Sequence, residues 1–147
     1  MRAAKTRLYV HAVWATWDRL PLITAAMEPR LYGAILEKCR ALKAYPLAAG
    51  GMSDHVHLLV RLPATLTVAD LIKGVKGSSS HLMTRIGKPG GFFKWQGAYG
   101  AFTLAAADVD RCINYIRAQK QHHAVNQLDA DWETTEAEDD VEPKVSE

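Results

Sequence analysis

Two histidines separated by one apolar residue stand in the stretch SDHVHLLVRLP, residues 53–63. The surrounding residues are typical of a buried strand, and the side chains of an extended chain alternate between the two faces of a sheet. His55 and His57 are therefore predicted to point the same way, with Val56 facing the other way. Two neutral imidazoles on one face form a partial ligand set for a divalent ion, although a packed or solvated histidine is the common alternative. A metal site at this strand requires a third ligand.

A tyrosine and a glutamine lie one helical turn apart near the end of the chain, in INYIRAQKQHH, residues 113–123. The spacing of Tyr115 and Gln119 places both on one face of a helix. An amide oxygen suits a hard cation such as Mg²⁺ or Mn²⁺, and a phenol is a nucleophile when a metal or a positioned substrate activates it. The alternative for this pair is ordinary amphipathic packing.

Basic, hydroxyl and aromatic side chains suited to DNA occur at several points of the chain. The segment KGSSS offers hydroxyl donors for phosphates, and KWQ at 94–96 combines a possible stacking surface with positive charge. Core packing is the alternative for the aromatic residues. The candidate DNA-binding residues are Arg19, Lys73, Lys76, Ser79, Ser80, Lys94, Trp95 and Gln96.

The charge of the chain is divided unequally along its length. The formal net charge is +2, but residues 129–147 contain nine acidic residues and one lysine, so the preceding part is strongly basic. A basic surface attracts polyanions, which favours nucleic acid as the partner. We expect residues 129–147 to be a flexible acidic tail, because little except Trp132 could anchor them.

Cysteine content and hydropathy indicate the compartment. Cys39 and Cys112 lack metal-binding spacing and are expected to be buried core thiols of a reduced, cytoplasmic protein. No apolar run approaches the roughly 20 residues that span a bilayer, and the N-terminus does not resemble a signal peptide, so no membrane partner is expected.

The hydrophobic pattern predicts one domain over residues 1–128 with the order β-α-β-β-α-β and a final helix. Strands are predicted at 7–17, 44–54, 55–63 and 92–104, the last interrupted by glycine. Helices are predicted at 28–43, over about four turns after an N-cap at Thr67, and from Asp108 to about His123. This order is typical of an α+β, ferredoxin-like fold, an antiparallel sheet with helices on one face.

Five segments in this order, HAVWATWDRLPLI, DHVHLLV, IKGVKGSSS, WQGAYGAFTL and YIRAQKQHH, resemble the HUH single-tyrosine transposases, the TnpA class and its REP-associated relatives. The similarity covers residues 8–123. It implies a ferredoxin-like fold whose C-terminal helix carries the catalytic tyrosine, and a metal-dependent enzyme that cleaves and rejoins single-stranded DNA at hairpin-containing ends. It also implies a homodimer and no nucleotide cofactor.

The resemblance assigns roles to four residues. His55 and His57 match the HUH histidines, Gln119 matches the third ligand of the Mg²⁺ or Mn²⁺ ion, and Tyr115 matches the nucleophile that forms a 5′-phosphotyrosine. Two departures concern DNA contact: Trp17 stands where relatives often have lysine, and residues 103–105 replace a Ser-x-Ser motif.

Three other functions are compatible with parts of the pattern. Histidine-triad hydrolases share the HxH strand, but Leu59 stands where their nucleophilic histidine would be. A non-catalytic module that binds single-stranded nucleic acid would not need the two histidines, the glutamine and the tyrosine together. A domesticated REP-associated strand transferase would use the same site and is the remaining alternative.

Overall fold

Strand-forming residues in four segments build a single antiparallel sheet, as the computed structural model of the protein shows. The structure describes residues 3–87, 90–120 and 130–135. The sheet has the order β2-β3-β1-β4. The strands are β1 (Leu8–Ala15), β2 (Tyr45–Met52), β3 (His55–Leu62) and β4 (Gly100–Leu104). The helices are α1 (Glu28–Ala41), α2 (Val68–Ile86), α3 (Val109–Arg117) and α4 (Ala130–Glu133).

One face of the sheet carries most of the buried apolar residues and is covered by α1 and α2. Alternate residues of β1 and β3 face these helices, and in α1 the buried positions Leu31, Ile35 and Cys39 recur at helical spacing. The helix α2 begins as predicted, because the hydroxyl of Thr67 accepts a hydrogen bond from the backbone N–H of Asp70 at 3.1 Å. This face holds the main hydrophobic core.

The other face of the same sheet is covered by α3. A second, smaller core forms here, with Leu59 from β3 packed against Cys112 and Ile116 from α3. The predicted α+β, ferredoxin-like architecture is confirmed: the two crossover helices share one face, and the helix that carries the tyrosine lies on the opposite face. Cys39 and Cys112 are buried free thiols, one in each core.

Several element boundaries differ from the sequence prediction. The predicted strand 92–104 is regular only in β4, and before it Trp95 makes a single isolated bridge to Thr16. The helix α2 extends over 19 residues, longer than predicted. The helix α3 ends at Arg117, after which Gln119 and Lys120 are again helical, and the predicted end near His123 lies outside the described residues.

Part of the segment assigned to a flexible acidic tail is folded. Residues 130–133 form α4, and Trp132 is buried in the smaller core against the ring of Tyr115. Residues 130–135 therefore differ from the predicted flexible tail, with Trp132 packed in the smaller core. The rest of the predicted tail lies outside the described part of the chain. No described helix is long and apolar enough to cross a membrane.

The approach of α3 to the sheet depends on a glycine in β2. A Cβ atom on Gly50 would lie 2.6 Å from the carbonyl oxygen of Ile116. We expect Gly50→Ala to push α3 away from the sheet and to lower the free energy of unfolding by roughly 1–3 kcal/mol. Urea unfolding measures this loss.

The matched control for that substitution is Gly33→Ala in α1, where an added Cβ meets nothing within 4 Å. This change should raise the free energy of unfolding by about 0.5–1 kcal/mol, because alanine favours the helix. Equal stability of the two variants would show that backbone contact with Gly50 does not determine the position of α3.

Candidate active site

The two histidines of β3 lie on the sheet face that α3 covers. His55 pairs with Ala15 and His57 pairs with Val13 of β1, and the two ring centroids are 5.1 Å apart. Both side chains are almost completely buried. The predicted same-face arrangement of the two imidazoles is present, and Val56 faces the main core on the other side.

The tyrosine and glutamine of the last predicted helix reach the same point. Gln119 is buried, and its Oε1 lies 3.2 Å from Nε2 of His55. The ring of Tyr115 is 5.9 Å from the ring of His57. The structure therefore brings together all four residues that the sequence predicted for the catalytic site, within one chain.

A carboxylate that the sequence analysis missed occupies the centre of this group. Glu133 of α4 accepts a hydrogen bond from the Tyr115 hydroxyl at 2.7 Å through Oε1. Its Oε2 lies 3.0 Å from Nε2 of His57 and 3.5 Å from Nε2 of His55. The sequence placed Glu133 in an acidic tail, and the neighbouring Trp132 was the only signal that this segment could dock.

The charge of Glu133 is maintained by its neighbours. Burial alone would raise the pKa of this carboxyl, but hydrogen bonds from His57 and Tyr115 and the nearby imidazoles outweigh burial and lower the pKa to about 2. Glu133 is therefore ionised at neutral pH, and an anion is stable at the point where the two imidazoles and the phenol meet.

A third histidine, also missed by the sequence analysis, lies behind His57. His11 is fully buried on β1, and its Nε2 is 2.8 Å from Nδ1 of His57. Burial, followed by repulsion from His57, lowers the pKa of His11 to about 3, so this imidazole is neutral. The alternation in β1 could have indicated His11, because His11 shares a strand face with Val13, and Val13 pairs with His57.

Asp54, which lies at the edge of the buried group, orients the other histidine of β3, His55. Oδ1 of Asp54 lies 2.7 Å from Nδ1 of His55, and this hydrogen bond is the main cause of the lowered pKa of Asp54. Arg19, one of the predicted DNA-binding residues, lies 4.0 Å from the same carboxylate. With both Nδ1 atoms engaged in this way, His55 and His57 turn their Nε2 atoms towards Glu133 and Gln119.

The donor atoms in the site fit a divalent metal ion. Ligand atoms of His55, His57 and Glu133 all lie within 4.8 Å of one another, and Oε1 of Gln119 is adjacent. Three of the separations between these donor atoms, 3.0, 3.2 and 3.5 Å, are close to the roughly 3 Å between neighbouring ligands of an octahedral ion with bonds of about 2.1 Å. Imidazole nitrogens together with amide and carboxylate oxygens form a mixed donor set that can hold a divalent ion.

Two predicted DNA-binding residues are instead part of the protein interior. The hydroxyl of Ser79 donates to the carbonyl of Val75 at 2.6 Å and accepts from Nε1 of Trp95 at 3.1 Å. Both side chains are buried. Their expected contact with DNA does not fit this arrangement, because Ser79 and Trp95 use their polar atoms to join α2 to the segment before β4.

The other predicted DNA-binding residues differ in exposure. Lys76 donates to the backbone carbonyls of Gln96 and Gly97, and burial lowers its pKa. Lys73 is exposed and Ser80 is half-buried on α2, on the sheet face away from the histidines.

A cleft beside the histidines contains the remaining candidates. It has a volume of about 310 Å³, and Arg19, Gln96 and Thr135 are among its lining residues. The Nζ of Lys94 lies 4.1 Å above the ring of the exposed Trp17. This cleft and the Lys94–Trp17 pair form a basic and aromatic surface beside His55, because Arg19 reaches the carboxylate that orients it.

The family and the two solved structures to which this chain is similar are described as transposases. The family model "Transposase IS200 like" matches residues 4–119. A "putative transposase" from Deinococcus radiodurans R1 is 24% identical with a TM-score of 0.64, over 88% of this chain and 98% of that chain. A REP-associated tyrosine transposase bound to a REP hairpin is 16% identical with a TM-score of 0.63, over 84% of this chain and 73% of that chain. No curated protein matches significantly.

The two solved structures agree with this chain in fold. The family match covers most of the sequence, including His55, His57, Tyr115 and Gln119, and it supports the resemblance to HUH single-tyrosine transposases. The chain belongs to the IS200-like transposase family.

Proposed function

We propose that this chain is a metal-dependent transposase that cleaves and rejoins single-stranded DNA through a 5′-phosphotyrosine. The observation that carries the proposal is the convergence of the Tyr115 phenol, two imidazoles and the Gln119 amide at one buried point of the sheet. Neither packing nor simple nucleic-acid binding requires that combination. Membership of the IS200-like family supports the same chemistry.

In the proposed reaction the oxygen of Tyr115 bonds to the phosphorus of a DNA phosphodiester. The bond to the 3′-oxygen breaks, the phenol loses its proton, and the departing 3′-hydroxyl gains one. A second 3′-hydroxyl then attacks the phosphotyrosine, restores the phenol and joins new DNA ends. The bond energy is conserved in the intermediate, so no nucleotide cofactor is consumed.

The side chains of the site can hold a metal cation next to a DNA phosphate. Mg²⁺ or Mn²⁺, held by His55, His57 and the side-chain oxygen of Gln119, would polarise the phosphate and offset charge on the departing oxygen. The Glu133 carboxylate lies where a phosphate must approach the phenol. Because two anions repel, we expect Glu133 and α4 to withdraw as DNA enters.

The DNA substrate is proposed to carry a hairpin. A structural neighbour in the comparison is bound to a REP hairpin, and the exposed Lys94, Trp17 and Arg19 provide charge and a stacking surface beside the site. A domesticated, REP-associated activity would use the same residues. Tyr115 reaches the histidines of its own chain, which favours donation of the tyrosine in cis, and the homodimer stays a prediction.

Removal of the phenol oxygen tests the nucleophile. We expect Tyr115→Phe to abolish the covalent protein–DNA adduct formed with a labelled single-stranded hairpin and Mn²⁺, while the affinity for that DNA is retained. The adduct is measured by denaturing gel electrophoresis. Tyr45→Phe is the matched control, since Tyr45 is 66% exposed at the start of β2. An adduct in Tyr115→Phe equal to wild type would show that the nucleophile is another residue.

The surface beside the site should contribute to the salt dependence of binding. Lys94→Gln should weaken hairpin binding and reduce the slope of log K against log salt by about 0.7, because one phosphate contact to a single strand is lost. Lys5→Gln is the control, because Lys5 is exposed before β1, at the end of the strand away from the histidines. Fluorescence anisotropy at several salt concentrations measures both slopes, and equal slopes would remove Lys94 from the DNA interface.

The ionised state of Glu133 should stabilise the fold in a defined pH range. Its pKa is lowered from 4.5 to about 2, so its contribution is complete above pH 4.5 and is lost as the pH falls towards 2. We expect Glu133→Gln to lower the free energy of unfolding by about 1–3 kcal/mol at pH 7, with a smaller difference at pH 3. Urea unfolding without added metal measures the difference.

The control for this experiment is Glu37→Gln, at an exposed position of α1. It should change stability little at either pH, because surface substitutions have small effects. A Glu133→Gln difference that is the same at pH 7 and pH 3 would show that the carboxylate charge does not stabilise the docking of α4.

A further inference from the structure

His11 is a buried imidazole that the proposed reaction leaves without a role. It projects from β1 on the same sheet face as His57, and the two rings are stacked with centroids 5.1 Å apart. The Nε2 of His11 is 2.8 Å from Nδ1 of His57, which is hydrogen-bond distance. The other rings near His11 belong to Trp132 and Phe102, whose centroids lie 5.2 Å and 6.4 Å from that of His11.

A purely structural role does not explain a histidine at this position. Among the described residues, Nδ1 of His11 has no hydrogen-bond partner, although the side chain is fully buried. An unsatisfied buried polar atom is destabilising, whereas an aromatic hydrocarbon ring would fill the same space between Trp132 and Phe102 without that cost. The polar function that remains to His11 is its hydrogen bond to His57.

That hydrogen bond controls which nitrogen of His57 is available. A neutral imidazole carries one proton, so only one of its two nitrogens has a free lone pair. In this site Nε2 of His57 faces the other candidate metal-ligand atoms, and Nδ1 of His57 faces His11. Without a cation, Nε2 of His57 donates to the Glu133 carboxylate, so a cation can bind Nε2 only after that proton has left. If the proton of the neutral ring is then on Nδ1 and is donated to His11, the Nε2 lone pair is free for the cation, whereas a proton kept on Nε2 would block it.

We propose that His11 is a positioning residue that accepts the Nδ1–H of His57 and thereby presents the Nε2 lone pair of His57 to the metal. The inference rests on the proposed function, because it assumes that His57 is a metal ligand. His11 then corresponds to Asp54, which holds Nδ1 of His55 at 2.7 Å. The two ligands are oriented by partners of different chemistry, one by a carboxylate and one by a neutral ring.

The test compares the affinity of the full chain for Mn²⁺ in three variants by isothermal titration calorimetry. His11→Phe keeps an aromatic ring but removes the acceptor, and we expect affinity about 10–100-fold below wild type. His11→Gln retains an acceptor, because its amide oxygen reaches the position of the imidazole Nε2, and should bind within about threefold of wild type. His81→Phe is the control at an exposed histidine of α2.

The outcomes separate the inference from the proposed function. Unchanged Mn²⁺ affinity in His11→Phe, with a wild-type circular dichroism spectrum, overturns the role of His11 and leaves the proposed function intact. Equal losses in His11→Phe and His11→Gln overturn it as well, since packing would then be the cause. Failure of the wild-type chain to bind Mn²⁺ contradicts the metal-dependent function itself.

A second measurement uses the wild-type chain and does not depend on the folding of any variant. In the Mg²⁺-loaded protein, nitrogen-15 NMR of labelled histidines should show His57 protonated at Nδ1, with that proton shared towards Nε2 of His11. A proton found on Nε2 of His57 under the same conditions overturns the proposal.

Discussion

The site depends on a sheet face that is buried and yet carries three imidazoles. His11, His55 and His57 are each almost inaccessible to solvent, so their ring nitrogens must find partners within the protein. Among the described residues all but Nδ1 of His11 do so, through one another and through the side chains of Asp54, Gln119 and Glu133. The cover formed by α3 excludes water from this polar group, and the resulting low dielectric strengthens each of these hydrogen bonds.

The two faces of the sheet differ in the side chains that they bury. The face under α1 and α2 supplies most of the hydrophobic core. The face under α3 has only a small apolar cluster, which includes Leu59, Cys112 and Ile116. A strand of period two can serve both purposes at once, because each step along it changes the face to which the side chain points.

The order of the elements and the shared faces of the four matching residues could be predicted from the sequence, because both depend on short-range periodicity, whereas the roles of those residues follow from the family resemblance. Alternation placed His55 and His57 together, and helical spacing placed Tyr115 beside Gln119. The strand before β4 was overpredicted, because aromatic residues such as Trp95 favour strands but here fill a core position. Ser79 is buried in α2 for a different reason, since sequence alone does not show which flank of a helix is covered.

His11 and Glu133 could not be found in this way, because their roles depend on distant segments. His11 meets His57 across a strand pairing, and Glu133 arrives from a segment whose composition is typical of a mobile tail. The docked segment is held by the indole of Trp132, which also lies 4.6 Å from the guanidinium of Arg111, and by the hydrogen bonds of Glu133. Average composition is a poor guide when two side chains make these contacts.

The Lys94 ammonium resting on Trp17 has a consequence for the order of events at the surface. One indole face cannot hold a cation and a nucleobase at the same time. A base that stacks there displaces the ammonium, and the released charge is then next to the phosphate that entered with the base. Under the proposed function, stacking and charge neutralisation would be coupled in a single exchange, so a nucleotide would gain more from this surface than a phosphate without an attached base.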